Sequence, residues 1–208
     1  MSQMNPIDRL SEAFERFPGI GPRQAGRFVQ YLLRQNQSYR STLADSIKKL
    51  SAETAQCNKC FRWFVKSDAK RDFCDICGDA RRDASLLFVV EKDADIENVE
   101  KSGYRGLYFV LSGTIPLASE EPQKFIRLEK LLVRANHRNH RGDASMKLQE
   151  IILGLSATAE GDHTRLILQE KLKNAGPKIS SLGRGLSTGS ELEYADPDTI
   201  ASAFDSRN

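Results

Sequence analysis

Apolar residues at Ile7, Leu10, Phe14 and Phe17 recur at steps of three and four, the spacing of one helix face. Ala25, Phe28, Val29, Leu32 and Leu33 repeat that spacing. Between them, residues 17–25 read Phe-Pro-Gly-Ile-Gly-Pro-Arg-Gln-Ala. Pro22 sits where a second helix would begin, because its fixed φ suits the first turn and its missing N–H is not needed there. The pattern predicts helix, glycine hairpin, helix. Further along, the period changes. Ser-Leu-Leu-Phe-Val-Val at 85–90 is a nearly continuous apolar run that stops at Glu91, as in a buried parallel strand. Leu107–Leu111, Glu150–Leu155 and Lys178–Leu182 predict further strands. Amphipathic segments near 93–102, 123–134 and 160–175 predict helices between them. Alternating strands and helices imply an α/β domain with a mainly parallel sheet. A short helix near 197–205 closes the sequence and is expected to dock on a neighbour or a partner chain.

A chain of 208 residues fits one compact domain plus smaller modules. Its 39% hydrophobic and 28% charged content marks a soluble globular protein at the polar end. No run approaches the ~18 apolar residues of a membrane span, and the beginning lacks the apolar core of a signal peptide. A cytoplasmic location and no membrane partner are therefore expected. The net charge of +3 is too small to argue for nucleic acid by itself. Residues 1–83 hold 15 Lys and Arg against 10 Asp and Glu, and residues 84–208 hold 16 against 18. The basic excess travels with the hairpin half, although differences of this size also arise from ordinary surface variation.

The hairpin suggests chemistry. Backbone N–H groups at a helix start can hold a phosphate oxygen, and Gly19 and Gly21 let that backbone come close. Arg23 and Arg27 lie four apart, share a face and add charge toward the same phosphates. Such contacts position DNA without reading its sequence. The plainer alternative is a helix–turn–helix packing unit.

All four cysteines fall in one place, Cys57-x-x-Cys60 and Cys74-x-x-Cys77. Two such pairs bring four thiolates around one tetrahedral zinc. In a cytosolic chain they are not expected to form disulfides, and no cysteine is left over for redox work. Four protein ligands leave no open position, so the expected ion is structural, one per chain. The loop from Phe61 to Phe73 is too small to fold unaided, and Gly78 can supply the turn after the last ligand. Lys59, Arg62, Lys66, Lys70 and Arg71, with Trp63 and Phe64, could touch nucleic acid. A solvated face over a mini-core is the preferred reading.

In open parallel sheets, function gathers beyond the carboxyl ends of the strands. Glu91, Glu160 and Asp162 fall there. Oxygen ligands of this kind suit magnesium or manganese. Glu160 and Asp162 equally suit the start of a helix, where negative charge is stabilising, and spacing alone leaves both readings open. The glycine-rich stretch from Gly183 lacks the Lys-Ser/Thr ending of a phosphate-binding loop, so an ATP site is not supported. Residues 134–142, Arg-Ala-Asn-His-Arg-Asn-His-Arg-Gly, are expected to form an exposed loop that extends through 147.

The order of these parts resembles the RecR recombination mediator family over essentially the whole chain. The pieces that carry the resemblance are Pro18-Gly-Ile-Gly-Pro22, the cysteine quartet, Arg81-Arg-Asp83, Thr158-Ala-Glu-Gly161 and Gly189-Ser-Glu-Leu-Glu-Tyr-Ala-Asp196. The resemblance implies an α/β multi-module chain. A helix-hairpin-helix would occupy 1–54, a four-cysteine zinc finger 55–80, a Toprim-like domain 81–177 and a short C-terminal helical segment 178–208. It implies a DNA-repair protein and not an enzyme. Such a protein forms a tetrameric ring around DNA and works with RecO, and often RecF, to load RecA at single-strand gaps. Arg23 and Arg27 would face the DNA, and Glu91, Glu160 and Asp162 would form an acidic cluster for a partner or a divalent ion such as magnesium.

Four features depart from the family pattern. Asp162 stands where a glutamate is usual. The loop Ser112-Gly-Thr-Ile-Pro-Leu-Ala-Ser-Glu-Glu replaces a glycine-rich one. Gly183-Arg-Gly185 replaces Ala-His-Gly, and 134–147 looks like an insertion. The rival reading is a catalytic Toprim protein, a metal-dependent nuclease or primase-like fragment. It would use a glutamate with an Asp-x-Asp pair to hold metal, whereas this chain has Glu160-Gly-Asp162. A general single-strand binder is disfavoured by an aromatic content of only 8%.

Overall fold

The computed structural model describes residues 5–66, 71–119, 121–136, 148–186, 189 and 191–205. It divides into two compact units, Met1–Thr54 and Ala55–Asn208.

The first unit holds helices α1 (Pro6–Glu15), α2 (Pro22–Arg34) and α3 (Gln37–Glu53). Side-chain caps set two of the starts. The Asn5 carboxamide oxygen accepts from the N–H groups of Ile7 and Asp8, and that of Asn36 accepts from Tyr39. Pro22 begins α2, with Gly21 as its cap. Packing is thin. Only Ala25 and Val29 are buried among the described residues of these helices. Phe14 meets Phe17 and Phe28 at ring-centroid distances of 5.9 and 5.6 Å.

The second unit runs β1 (Thr54–Gln56), β2 (Trp63–Val65), α4 (Asp75–Gly78), β3 (Asp83–Val90), α5 (Asp93–Lys101), β4 (Gly106–Val110), α6 (Leu128–Asn136), β5 (Glu150–Gly154), α7 (Ala159–Leu172), β6 (Lys178–Ser181) and α8 (Pro197–Asp205). Strands β1 and β2 pair with each other. The main sheet has the order β4-β3-β5-β6 and is parallel throughout. The expected alternation of strand and helix is therefore present. The expected boundary at residue 177 is not a boundary of the sheet: Ile151 pairs with Ile179, so β6 completes the same sheet.

Strand β3 sits between β4 and β5 and sorts its side chains by the two-residue period of a strand. Leu87 and Val89 point into one cluster with Phe109, Ile151, Leu153, Leu131 of α6 and Leu168 and Leu172 of α7. Phe88 and Val90 point into the other, with Tyr108, Val110 and Ile96 of α5. That second cluster contains all four cysteines and Ile76. The cysteine finger thus does the work of a helix, covering a sheet face beside α5. The finger that the resemblance places at 55–80 has a core continuous with that of the sheet.

The Arg81-Arg-Asp83 piece has a structural role. Arg82 donates to the Glu100 carboxylate through both terminal nitrogens and to the Gly106 carbonyl at 3.0 Å. The Tyr108 hydroxyl donates to the same carboxylate at 2.6 Å. Asp83 accepts from the Ser85 N–H and hydroxyl at 2.8 and 2.6 Å. The Arg82 and Tyr108 bonds tie the start of β3 to α5 and β4.

Thr158-Ala-Glu-Gly161 is equally local in origin. The Thr158 hydroxyl accepts from the Gly161 N–H at 3.1 Å and caps α7. A Cβ at Gly161 would lie 2.1 Å from the Ser156 carbonyl oxygen. Backbone cannot yield as a flexible side chain can, so Gly161→Ala should cost about 1–3 kcal/mol, as overpacking does elsewhere. Urea titration checks this; an unchanged midpoint would mean the loop moves freely.

Candidate functional site

The hairpin is built by Gly19 and the start of α2. Gly19 has φ +76°, a left-handed conformation that favours glycine. Gly21 is extended, and a Cβ there would meet nothing within 4 Å among the described residues. Its missing side chain therefore leaves room and does not relieve strain. The Gly21 carbonyl accepts from Gln24 and Ala25 at 3.0 Å, which starts the helix. Arg23 and Arg27 are both exposed and line one groove of about 550 Å³, which also reaches Arg34. None of the three arginines has an ion-pair partner among the described residues. The two expected arginines are brought together; Arg34, about two helical turns beyond Arg27, is an addition. Its position at a seven-residue step from Arg27 was a signal available in the sequence.

The four cysteines converge. All are buried, and their sulfurs lie within 4.8 Å of one another. Cys60 and Cys74 Sγ are 3.6 Å apart, far from the ~2.05 Å of a disulfide. Backbone N–H groups of Lys59 and Cys74 point at Cys57 Sγ from 3.4 Å, and that of Cys77 at Cys74 Sγ from 3.5 Å. Donors aimed at sulfur favour thiolate. Contact with Cys60 pulls Cys57 down toward thiolate, and the same contact pushes Cys60 up. A set of four buried sulfur donors fits a cation with tetrahedral preference. Phe61, at φ +64°, turns the chain after the second cysteine. It packs edge-on against Phe109 at 5.3 Å, under the Arg127 guanidinium. The Cys60 carbonyl accepts from the Val110 N–H at 2.9 Å, covering the edge of β4.

Of the finger's other side chains, Phe64 and Phe73 pack against the core, while Trp63 stays exposed. Lys59 and Arg71 sit over the Phe73 ring at 4.5 and 5.1 Å. The mini-core reading holds for these residues. Lys70 lies outside the described residues, as do 137–147 of the expected excursion. Arg134 and Ala135 belong to α6 and not to a loop.

The acidic residues do lie beyond the strand ends, but they do not converge as a metal group among the described residues. Glu91 is buried, and its carboxylate accepts from the Ser156 N–H at 2.6 Å and the Ser156 hydroxyl at 2.9 Å. It thereby locks the turn after β5. Glu160 is exposed in the first turn of α7 and meets the Thr114 hydroxyl at 3.3 Å. Asp162 is held by two cations, Arg184 and Arg165, the second at 2.5 Å. The Arg184 guanidinium keeps the Asp162 carboxyl below its ordinary range. These acids act as helix-start charge, ion-pair partner and loop anchor. As arranged, they do not fit a divalent ion. Arg184 is a residue the sequence singled out only as a departure, and its partner lies 22 residues away.

The terminal piece forms a short turn, Leu192–Tyr194, and Asp196 caps α8 through Thr199 at 2.9 and 2.6 Å. Leu192, Tyr194 and Phe204 are left exposed.

Comparison with known proteins agrees with this assembly of parts. Residues 7–50 match the family model for the RecR helix-hairpin-helix, 85–183 that for the Toprim domain and 185–208 that for the RecR C-terminal region. The chain is 36% identical over 203 residues to the recombination protein RecR of Chloroflexus aurantiacus, covering 97% of this chain and 93% of that one. It is 39% identical over 205 residues to the RecR of Moorella thermoacetica, covering 98% and 96%. With the RecR of Dehalococcoides mccartyi it shares 34% identity over 207 residues, covering 99% and 95%.

Proposed function

The chain belongs to the RecR family of recombination proteins, and from that premise we propose that it is a DNA-binding mediator of recombinational repair. It holds DNA at single-strand gaps and, with RecO-like and RecF-like partners, helps RecA replace single-strand-binding protein there. The observation that carries DNA binding is the hairpin, where an open glycine backbone lies beside three arginines that have no ion-pair partner among the described residues. In this reading Gly19 and Gly21 present backbone, and Arg23 and Arg27 supply charge, to phosphates of any sequence.

Zinc is the ion that the four thiolates suit, held by Cys57, Cys60, Cys74 and Cys77. Bound there, it supplies a cross-link and no reactive position. A non-catalytic Toprim-like domain is supported by what its acids already do: Glu91 anchors Ser156, and Asp162 is paired with arginines. Metal-dependent nicking of DNA that disappears in Glu91→Gln would overturn this and favour a nuclease.

A homo-oligomer, in the form of a tetrameric ring, is the assembly proposed. Leu10, Phe17, Leu33, Leu43 and Ile47 leave an apolar groove of about 640 Å³ on the first unit. A unit of this size with two buried residues among those described needs a partner surface, and a second copy is its proposed occupant. No helix among the described residues is long and apolar enough to cross a membrane; a cytoplasmic location is proposed from the repair family to which the chain belongs. Sedimentation of the full chain, alone and with a short gapped duplex, tests assembly and DNA binding together. Oligomers that co-sediment with the duplex are expected; monomers that leave it free would reject the reading.

A further inference from the structure

Helix α2 has a glycine in its interior, and nothing among the described residues of the first unit calls for one. Gly26 does not take a left-handed φ, and a Cβ there would meet nothing beyond its own helix backbone within 4 Å among the described residues. Alanine would fit and would favour the helix. What the missing side chain does provide is an open floor. Gly26 lies in the groove of about 550 Å³ that Arg23, Arg27, Gln30 and Arg34 line. Those four recur at steps of four, three and four, so they form one stripe along the helix.

Building on DNA binding by the hairpin, we propose that this groove seats one DNA strand along α2. Gly26 is the point where sugar–phosphate backbone touches helix backbone, and Arg34 is a further phosphate ligand. Arg23 and Arg34 stand eleven residues apart, which is about 16 Å along a helix. A DNA strand carries one charge per ~3.4 Å of axis, so the track matches about five phosphates. The hairpin alone offers a single helix start. A second copy of the chain is a poor occupant, because a two-fold contact brings the same patch against itself. Arg23, Arg27 and Arg34 would then face the same three arginines of the other copy.

The test uses the full chain and a labelled gapped duplex. Gly26→Ala and Gly26→Leu should melt at or above the parent temperature, because both residues are better helix formers. Their affinity should nevertheless fall, by about tenfold for leucine, the equivalent of one phosphate contact. Arg34→Ala should make the salt slope shallower by about 0.7–0.9. Parent-like binding by Gly26→Leu, while Arg23→Glu with Arg27→Glu loses binding, would confine the DNA to the hairpin and overturn the track. Parent-like binding by all of these variants would instead reject the hairpin itself. A Gly26→Leu protein that sediments as a smaller species would assign the groove to a second copy, which also overturns the track.

Discussion

Cys74→Ser should unfold more than the finger. Cys74 is buried, its sulfur lies 3.6 Å from Cys60 Sγ, and its carbonyl accepts from the Gly78 N–H at 3.0 Å. Structural zinc contributes roughly 10–16 kcal/mol of binding free energy in small fingers. An entire domain is stable by only about 5–15 kcal/mol. Losing the ion would therefore remove an amount comparable with the stability of the whole unit, and a serine at one ligand position weakens its hold. The loss spreads because Cys60, Cys77 and Ile76 share a cluster with Phe88, Val90 and Tyr108 of the sheet. The parent should carry about one zinc per chain by the four-ligand rule. The variant should carry less, melt far lower and be poorly soluble. Strong chelation of the parent should give the same result. A parent that is fully folded and metal-free would sink the zinc assignment. A variant that loses metal but keeps its melting temperature would show that the finger is independent of the sheet.

Arg23→Glu with Arg27→Glu should abolish most DNA binding and leave the fold intact. Both residues are exposed and unpaired among the described residues, and surface changes of this kind usually alter stability by within about 0.5 kcal/mol. Each phosphate contact contributes roughly 0.7–0.9 to the salt slope. Losing two should flatten the slope by about 1.4–1.8 for each engaged chain. Charge reversal adds repulsion, so affinity at low salt should drop by at least about a hundredfold, or ~2.8 kcal/mol. The factor should be similar on unrelated sequences, because phosphates carry no sequence information. Anisotropy titrations over a range of salt check this. A folded, oligomeric double variant that binds gapped DNA like the parent would make the hairpin a packing element only.

What the sequence revealed depended on how local the cause was. Strand β3 was legible because its buried run contrasts with Glu91 and Lys92 after it. The cysteine cluster was legible because ligand spacing is a short-range property. Strands β1 and β2 were not, since three residues hold no period. Nor was the finger's place on the sheet: spacing says which sulfurs meet and nothing about the surface they meet on. The acidic residues show the same limit. Their position beyond the strand ends followed from alternation, but what each one does followed from partners far along the chain. Ser156 lies 65 residues from Glu91, and Arg184 lies 22 from Asp162. Those partners turned a candidate metal site into loop anchors and ion pairs.

The cysteine finger's position on the sheet has a consequence for the life of the protein in a cell. A chain made while zinc is scarce would uncover the part of one sheet face that the finger shields, beside Phe88, Val90 and Tyr108, with α5 left as the remaining cover. Exposed apolar surface and an open strand edge are what proteases and aggregation act upon. Metal shortage should therefore lower the abundance of this protein and not merely its activity, so that its steady-state level follows zinc supply.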